Sequence, residues 1–219
     1  MHLPAPRKVP VAVVAVVAVV LRGAVVACVL AALVVVELTS RSGVAWRLTT
    51  FTYQVNLLAA AFYLWTLLGR RYDARPAVRG AVVVYLLVAG LVWVLFLSGR
   101  STGFTPANVL LHIVVPVLAL ADWVLVRPAR GGLRWWHPPV WLLFPAAYLG
   151  LALAVLNGAG RRAPYYFLDP DAVGAGGLAW NVLRLAAGFL VLGYLVLLAG
   201  RTGARVPGRA VGEVVPGRA

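Results

Sequence analysis

The stretch AVVVYLLVAGLVWVLFL, Ala81 to Leu97, decides the solvent and with it the fold. It carries no charge and no proline, and it comes close to the ~20 apolar residues that an α-helix needs to cross a bilayer core. Five further runs are of similar length and nearly as apolar: Leu21–Leu38, Phe51–Gly69, Val109–Val126, Val140–Leu156 and Leu178–Ala199. Of the 219 residues 63% are hydrophobic and 12% charged, where a soluble domain carries about a quarter charged. Mean hydropathy is +0.92. So few charges cannot coat a water-facing surface. The composition therefore predicts an all-α, polytopic integral membrane protein with six transmembrane helices. Residues 1–20 read as an N-terminal juxtamembrane segment, 21–200 as the six-helix domain and 201–219 as a disordered tail rich in Gly, Pro and Arg. No period of 20–50 residues recurs along the chain.

The formal charge of +14 invites a nucleic-acid reading. The arginines, however, lie in short clusters between apolar runs, where loop charge sets topology. Thirteen Lys and Arg fall on one side of the six spans and five on the other. The positive-inside rule then puts both termini in the cytoplasm of a plasma-membrane protein, and an even number of spans agrees. Nucleic acid is not expected as a partner. Arg22 interrupts the first apolar stretch and is expected to snorkel at the cytoplasmic face. A rival reading takes residues 7–28 as an export signal ending in the box Val25-Val26-Ala27-Cys28, but an arginine between the apolar core and the box speaks against it. Cys28 is the single cysteine, so no intrachain disulfide forms. His2, His112, His137 and the scattered acids have no zinc-site spacing, and no metal or cofactor is expected. Paired intramembrane haem ligands are also missing from the sequence.

Several residues punctuate the spans. Thr105-Pro106 reads as an N-cap followed by proline at the first helical position, and Pro138-Pro139 opens the fifth run in the same way. Pro116 and Pro145 lie inside runs and are expected to kink them. Polar side chains within a span are costly, and several of them share one depth. If the second span begins near Trp46, Thr49, Thr52, Tyr53 and Asn56 fall on one stripe that Tyr63 extends, while Thr50 and Gln54 point away. His112 lies roughly 9 Å down the fourth span from Pro106, with Asn108 one turn above it. Glu37, Asp169, Asn181 and Arg184 gather at the same end. Asp122 lies at the other, beside Trp123, and reads as an interface anchor. His137 reads as interfacial beside Trp135 and Trp136, and Tyr165 and Tyr166 as belt residues.

Each polar residue has a bland reading: a threonine that caps or bonds its own i−4 carbonyl, an asparagine that glues helices, a histidine packed neutral. Together they suggest chemistry. A threonine hydroxyl is a weak nucleophile that needs an adjacent base, and histidine is the usual one. A threonine and His112 on two helices at one depth can form that dyad. Asn108 or Asp169 is then placed to orient the imidazole, and Asn56 or Arg184 to face a developing oxyanion.

Three segments carry a family resemblance: WRLTTFTYQVN (Trp46–Asn56), NVLLHIVVP with the following DW (Asn108–Trp123), and PYYFLDP (Pro164–Pro170). In order and spacing they resemble the androgen-induced / androgen-dependent family of multi-spanning membrane proteins, in its bacterial branch. Animal members look like intramembrane threonine hydrolases that cleave fatty acid esters of hydroxy fatty acids. The resemblance implies a lipid or fatty acid ester substrate and carries the family histidine onto His112 through the Asn-x-x-x-His spacing. Its animal context points the nucleophile to Thr50 and its bacterial context to Thr52. A non-catalytic membrane protein, such as a partner subunit or small transporter, is the competing class. The nearly pure Leu, Val and Ala of the inner half-spans count against transport.

Overall fold

A computed structural model describes residues 11–40, 42–69, 75–126, 132–156 and 165–201. The expected disordered tail, apart from Arg201, lies outside them. The described residues are helical, and six of their helices are long and apolar enough to cross a membrane: Ala12–Thr39, Phe51–Leu68, Pro76–Gly99, Pro106–Leu125, His137–Ala154 and Pro170–Arg201. The chain is a multi-pass membrane protein.

The first span is helix α1 (Val11–Thr39). It is already helical at Val11, so residues 11–20 belong to the span and not to a separate juxtamembrane segment. A short helix, α2 (Val44–Leu48), follows, and Arg47 on it pairs with Glu37 near the end of α1. The second span, α3 (Phe51–Leu68), starts only after a break at Thr49–Thr50. Thr49 therefore closes α2 and is not part of a stripe running through α3. The third span is α4 (Pro76–Val92), continued by a π-helical stretch, Trp93–Thr102. It is the most buried of the six and packs against the second, fourth and sixth spans. The fourth comprises α5 (Pro106–Val109), a π turn (Leu110–Val114) and α6 (Val115–Leu125). The fifth comprises α7 (His137–Trp141) and α8 (Leu143–Gly150), and a final helix, α9 (Pro170–Arg201), breaks at Gly174 and then forms the sixth.

The two internal prolines act through the carbonyls they cannot serve. Pro145 has no N–H to give the Trp141 carbonyl four residues earlier, and Tyr85 donates its hydroxyl to that oxygen at 3.0 Å. Pro116 likewise has no N–H to give the His112 carbonyl, and the chain widens into the π turn just ahead of it. Gly90 of α4 packs directly on that oxygen: a Cβ built there would lie 2.5 Å from it.

The expectations for Arg22 and Asp122 are overturned. Arg22 is fully buried and does not snorkel; its Nε donates to Asp122 Oδ1 at 2.9 Å. Arg79, near the start of α4, is also buried and donates its Nε to Asp122 Oδ2 at 2.8 Å. Asp122 is thus a buried acid clamped between two guanidiniums from the first and third spans, not an interface anchor. Helix packing closes over all three because a lone charge in the apolar interior costs far more than a paired one. Trp123 is buried beside them, its indole N–H donating to the Val196 carbonyl at 2.9 Å.

Candidate active site

The site lies at the end of the bundle opposite Asp122, and its geometry begins with two helix starts. Thr50 accepts from the Tyr53 N–H and donates to the Arg47 carbonyl at 2.8 Å, so it is the N-cap of α3. That leaves Thr52 as the second residue of the helix, one of the positions whose N–H has no intrahelical acceptor. On the fourth span, Thr105 caps α5 by accepting from the Asn108 N–H at 3.3 Å. His112 follows in the π turn, the kind of local widening that recurs at functional sites.

Thr52 Oγ1 and His112 Nε2 lie 3.2 Å apart, both residues buried. The other ring nitrogen, Nδ1, lies 3.1 Å from the Asn108 carbonyl. A carbonyl only accepts, so Nδ1 carries the proton and Nε2 is left to accept from the Thr52 hydroxyl. This is the tautomer that a general base toward Thr52 requires. Trp93 stacks on the imidazole with ring centroids 5.0 Å apart and planes at 23°, which fixes the ring's plane.

The other candidate residues surround this pair in roles that differ from those expected. Asn108 orients the imidazole through its backbone carbonyl; its side chain donates to Gly103 O at 3.0 Å. Asp169 uses Oδ1 to accept from the Asp171 N–H at 3.0 Å, capping α9, and the ring nitrogen it was expected to orient is held by the Asn108 carbonyl. Asn56 turns its amide to the Thr52 carbonyl at 2.9 Å and to Leu111 O at 3.5 Å, tying the second span to the fourth below the dyad. Arg184 is exposed, its guanidinium 4.7 Å from the Trp180 ring, and does not face Thr52. Asn181 donates to the Phe167 carbonyl at 3.0 Å and holds the 3₁₀ turn Tyr166–Leu168. Thr50, spent on capping, is not beside His112.

Tyr165, which reads from sequence as a belt residue, is a site residue. Its hydroxyl lies 3.4 Å from Thr52 Oγ1 and 3.4 Å from the Thr52 backbone nitrogen. Burial pushes its phenol above the ordinary tyrosine value, against hydrogen bonds from Thr52 that pull it down. His137 is buried between Trp136 and Trp141, with ring centroids 4.4 and 6.1 Å away, and its Nδ1 accepts from the Arg134 N–H at 2.9 Å.

A cavity of about 250 Å³ opens beside Thr52. Its walls are apolar side chains from the second, third, fifth and sixth spans, among them Ala89, Leu149 and Phe189, joined by Thr52, Tyr148 and Tyr165. Lining positions run from Leu142 to Leu149 and from Val182 to Phe189, each about 10 Å along its helix. Such a cavity, apolar with a few converging polar groups, suits a hydrocarbon chain that ends in a reactive polar group. Among the described residues no three of His, Cys, Asp and Glu cluster as a metal site.

The chain matches no family model, no curated protein and no solved structure.

Proposed function

We propose that this protein is an intramembrane hydrolase of a fatty acyl ester, with Thr52 as nucleophile and His112 as general base. The observation that carries the reading is the 3.2 Å contact between Thr52 Oγ1 and an acceptor nitrogen of His112, with Thr52 lining an apolar cavity. A hydroxyl paired with a correctly protonated imidazole is an activated nucleophile, and the cavity accepts the acyl chain behind the carbonyl. The sequence resemblance to the androgen-induced / androgen-dependent family, bacterial branch, points the same way. The distribution of Lys and Arg supports a plasma-membrane location with both termini cytoplasmic, which puts the dyad in the extracytoplasmic leaflet.

The test is labelling of the detergent-purified protein by an alkyl fluorophosphonate, comparing wild type with Thr52→Ala, His112→Ala and Thr50→Ala. Thr52→Ala is expected to abolish labelling. His112→Ala is expected to slow it by about 10²–10⁴-fold, the usual worth of a general base. Thr50→Ala is expected to label normally. Labelling that survives Thr52→Ala overturns the assignment. An unlabelled wild type returns the chain to the non-catalytic class.

A further inference from the structure

Attack on an ester places a full negative charge on the carbonyl oxygen, and in a water-poor site protein donors must meet it. Asn56 and Arg184 do not: the Asn56 amide points at the Thr52 and Leu111 carbonyls, and Arg184 lies out over Trp180. Tyr165 does stand there. Its phenol oxygen is 3.4 Å from the attacking oxygen and 3.4 Å from the amide nitrogen of the same residue. Both contacts are long for hydrogen bonds, as catalytic contacts often are before substrate arrives.

We infer that the Tyr165 hydroxyl and the Thr52 backbone N–H together bind the oxyanion formed during ester cleavage, which makes Tyr165 a third catalytic residue. The inference rests on the hydrolase reading above. In the tetrahedral intermediate the oxyanion is bonded to the carbon that has just bonded Thr52 Oγ1, so it occupies the small space that these three atoms bound. The phenol now accepts from the Thr52 N–H; with an ester in place, the oxyanion takes that N–H and the phenol turns its O–H onto the same oxygen. The ring is backed by a stack on Phe167, at 5.5 Å and 16°, and an edge contact with Tyr148 at 6.3 Å. Phe167 is in turn held through its carbonyl by Asn181, a positioning residue.

The steps balance with water as the only co-reactant. His112 Nε2 takes the Thr52 hydroxyl proton as the Oγ1–carbon bond forms and the carbonyl π pair moves onto oxygen. Tyr165 and the Thr52 amide hold that oxygen without giving up their protons. Return of the pair breaks the bond to the leaving alkoxide, which takes the proton from His112. Water then attacks the acyl-threonine by the same route, releasing the fatty acid and restoring Thr52.

The experiment uses the full chain in detergent with p-nitrophenyl acyl esters and an alkyl trifluoromethyl ketone, whose adduct with Thr52 carries an oxyanion. Rates are expressed per site eventually labelled by the fluorophosphonate, so a partly unfolded variant does not imitate the result. Tyr165→Phe is expected to lower kcat by about 10²-fold with KM nearly unchanged, and to weaken the ketone by a similar factor. If Tyr165 merely caps α3, Tyr165→Phe lowers the unfolding midpoint and leaves kcat per site and ketone affinity at wild-type values. That result overturns the inference while Thr52→Ala still abolishes turnover. A wild type that turns over no ester removes the hydrolase reading itself, and the inference with it.

Discussion

Gly90→Ala isolates the link between the packing of the bundle and its chemistry. The new Cβ would lie 2.5 Å from the His112 carbonyl oxygen, whereas a carbon and a carbonyl oxygen rest no closer than about 3.3 Å. One side must retreat by roughly 0.8 Å. The third span cannot easily do so, because it is the most buried and is packed on several sides. The π turn bearing His112 yields instead, and the atom pair at stake is already 3.2 Å apart. A displacement of about 1 Å at a reacting pair costs on the order of 10²-fold in rate. Overpacking should also cost about 1–3 kcal/mol of stability. Ester turnover per labelled site and thermal unfolding in detergent measure the two effects. Gly188→Ala is the control, since nothing lies within 4 Å of a Cβ at that position; it should keep full turnover and gain about 0.5–1 kcal/mol. Wild-type turnover in Gly90→Ala would refute the dependence of the dyad on this close approach.

Three further outcomes follow from the same geometry. Thr50→Ala removes an N-cap and should cost about 0.5–2 kcal/mol in an unfolding measurement while leaving fluorophosphonate labelling intact; loss of labelling at normal stability would give Thr50 a chemical role. Asp122→Asn takes the carboxylate from between two buried guanidiniums and should cost about 3–5 kcal/mol, whereas exchanging Arg22, Arg79 and Asp122 together for apolar residues of similar volume should cost little. A single variant as stable as wild type would contradict the buried clamp. Ala186→Phe fills part of the cavity and should shift the acyl-length profile toward shorter esters, by about tenfold or more for a chain that no longer fits; an unchanged profile would place the chain elsewhere.

The spans were legible because a bilayer imposes a length and a polarity that sequence displays without any knowledge of neighbours. The Thr105 cap is legible from local sequence; the partner of His112 is legible only as Thr50 or Thr52, because the depth of either depends on where the second span starts, and α3 starts at Phe51 and not near Trp46. Pairings across the bundle were hidden. Arg22 and Asp122 were each judged by distance to a span end, and nothing local reveals that they are partners. Tyr165 was hidden in the same way, since only tertiary packing brings a residue 113 positions further along the chain to Thr52. Its signal was its place in a loop at the Thr52 end, within one of the segments that carry the resemblance. The orienting role expected of the Asn108 side chain belongs to its backbone, which sequence spacing alone does not separate. The polar stripe was overdrawn because Thr49 and Thr50 end one helix and cap the next instead of continuing it.

The Arg22–Asp122 pair also sets a timetable. Its members are 100 positions apart, so during synthesis the first span reaches the membrane well before its counter-charge exists. At about 5–20 residues per second the wait is roughly 5–20 s, during which a mid-span arginine costs about 2.5–3.5 kcal/mol in lipid. The nascent first span, the most apolar of the six, carries that cost until the fourth span is made. In chains arrested before residue 122 the first span should sit shifted, with Arg22 drawn toward the bilayer surface and reachable by a water-soluble probe; in chains arrested well after it Arg22 should be protected.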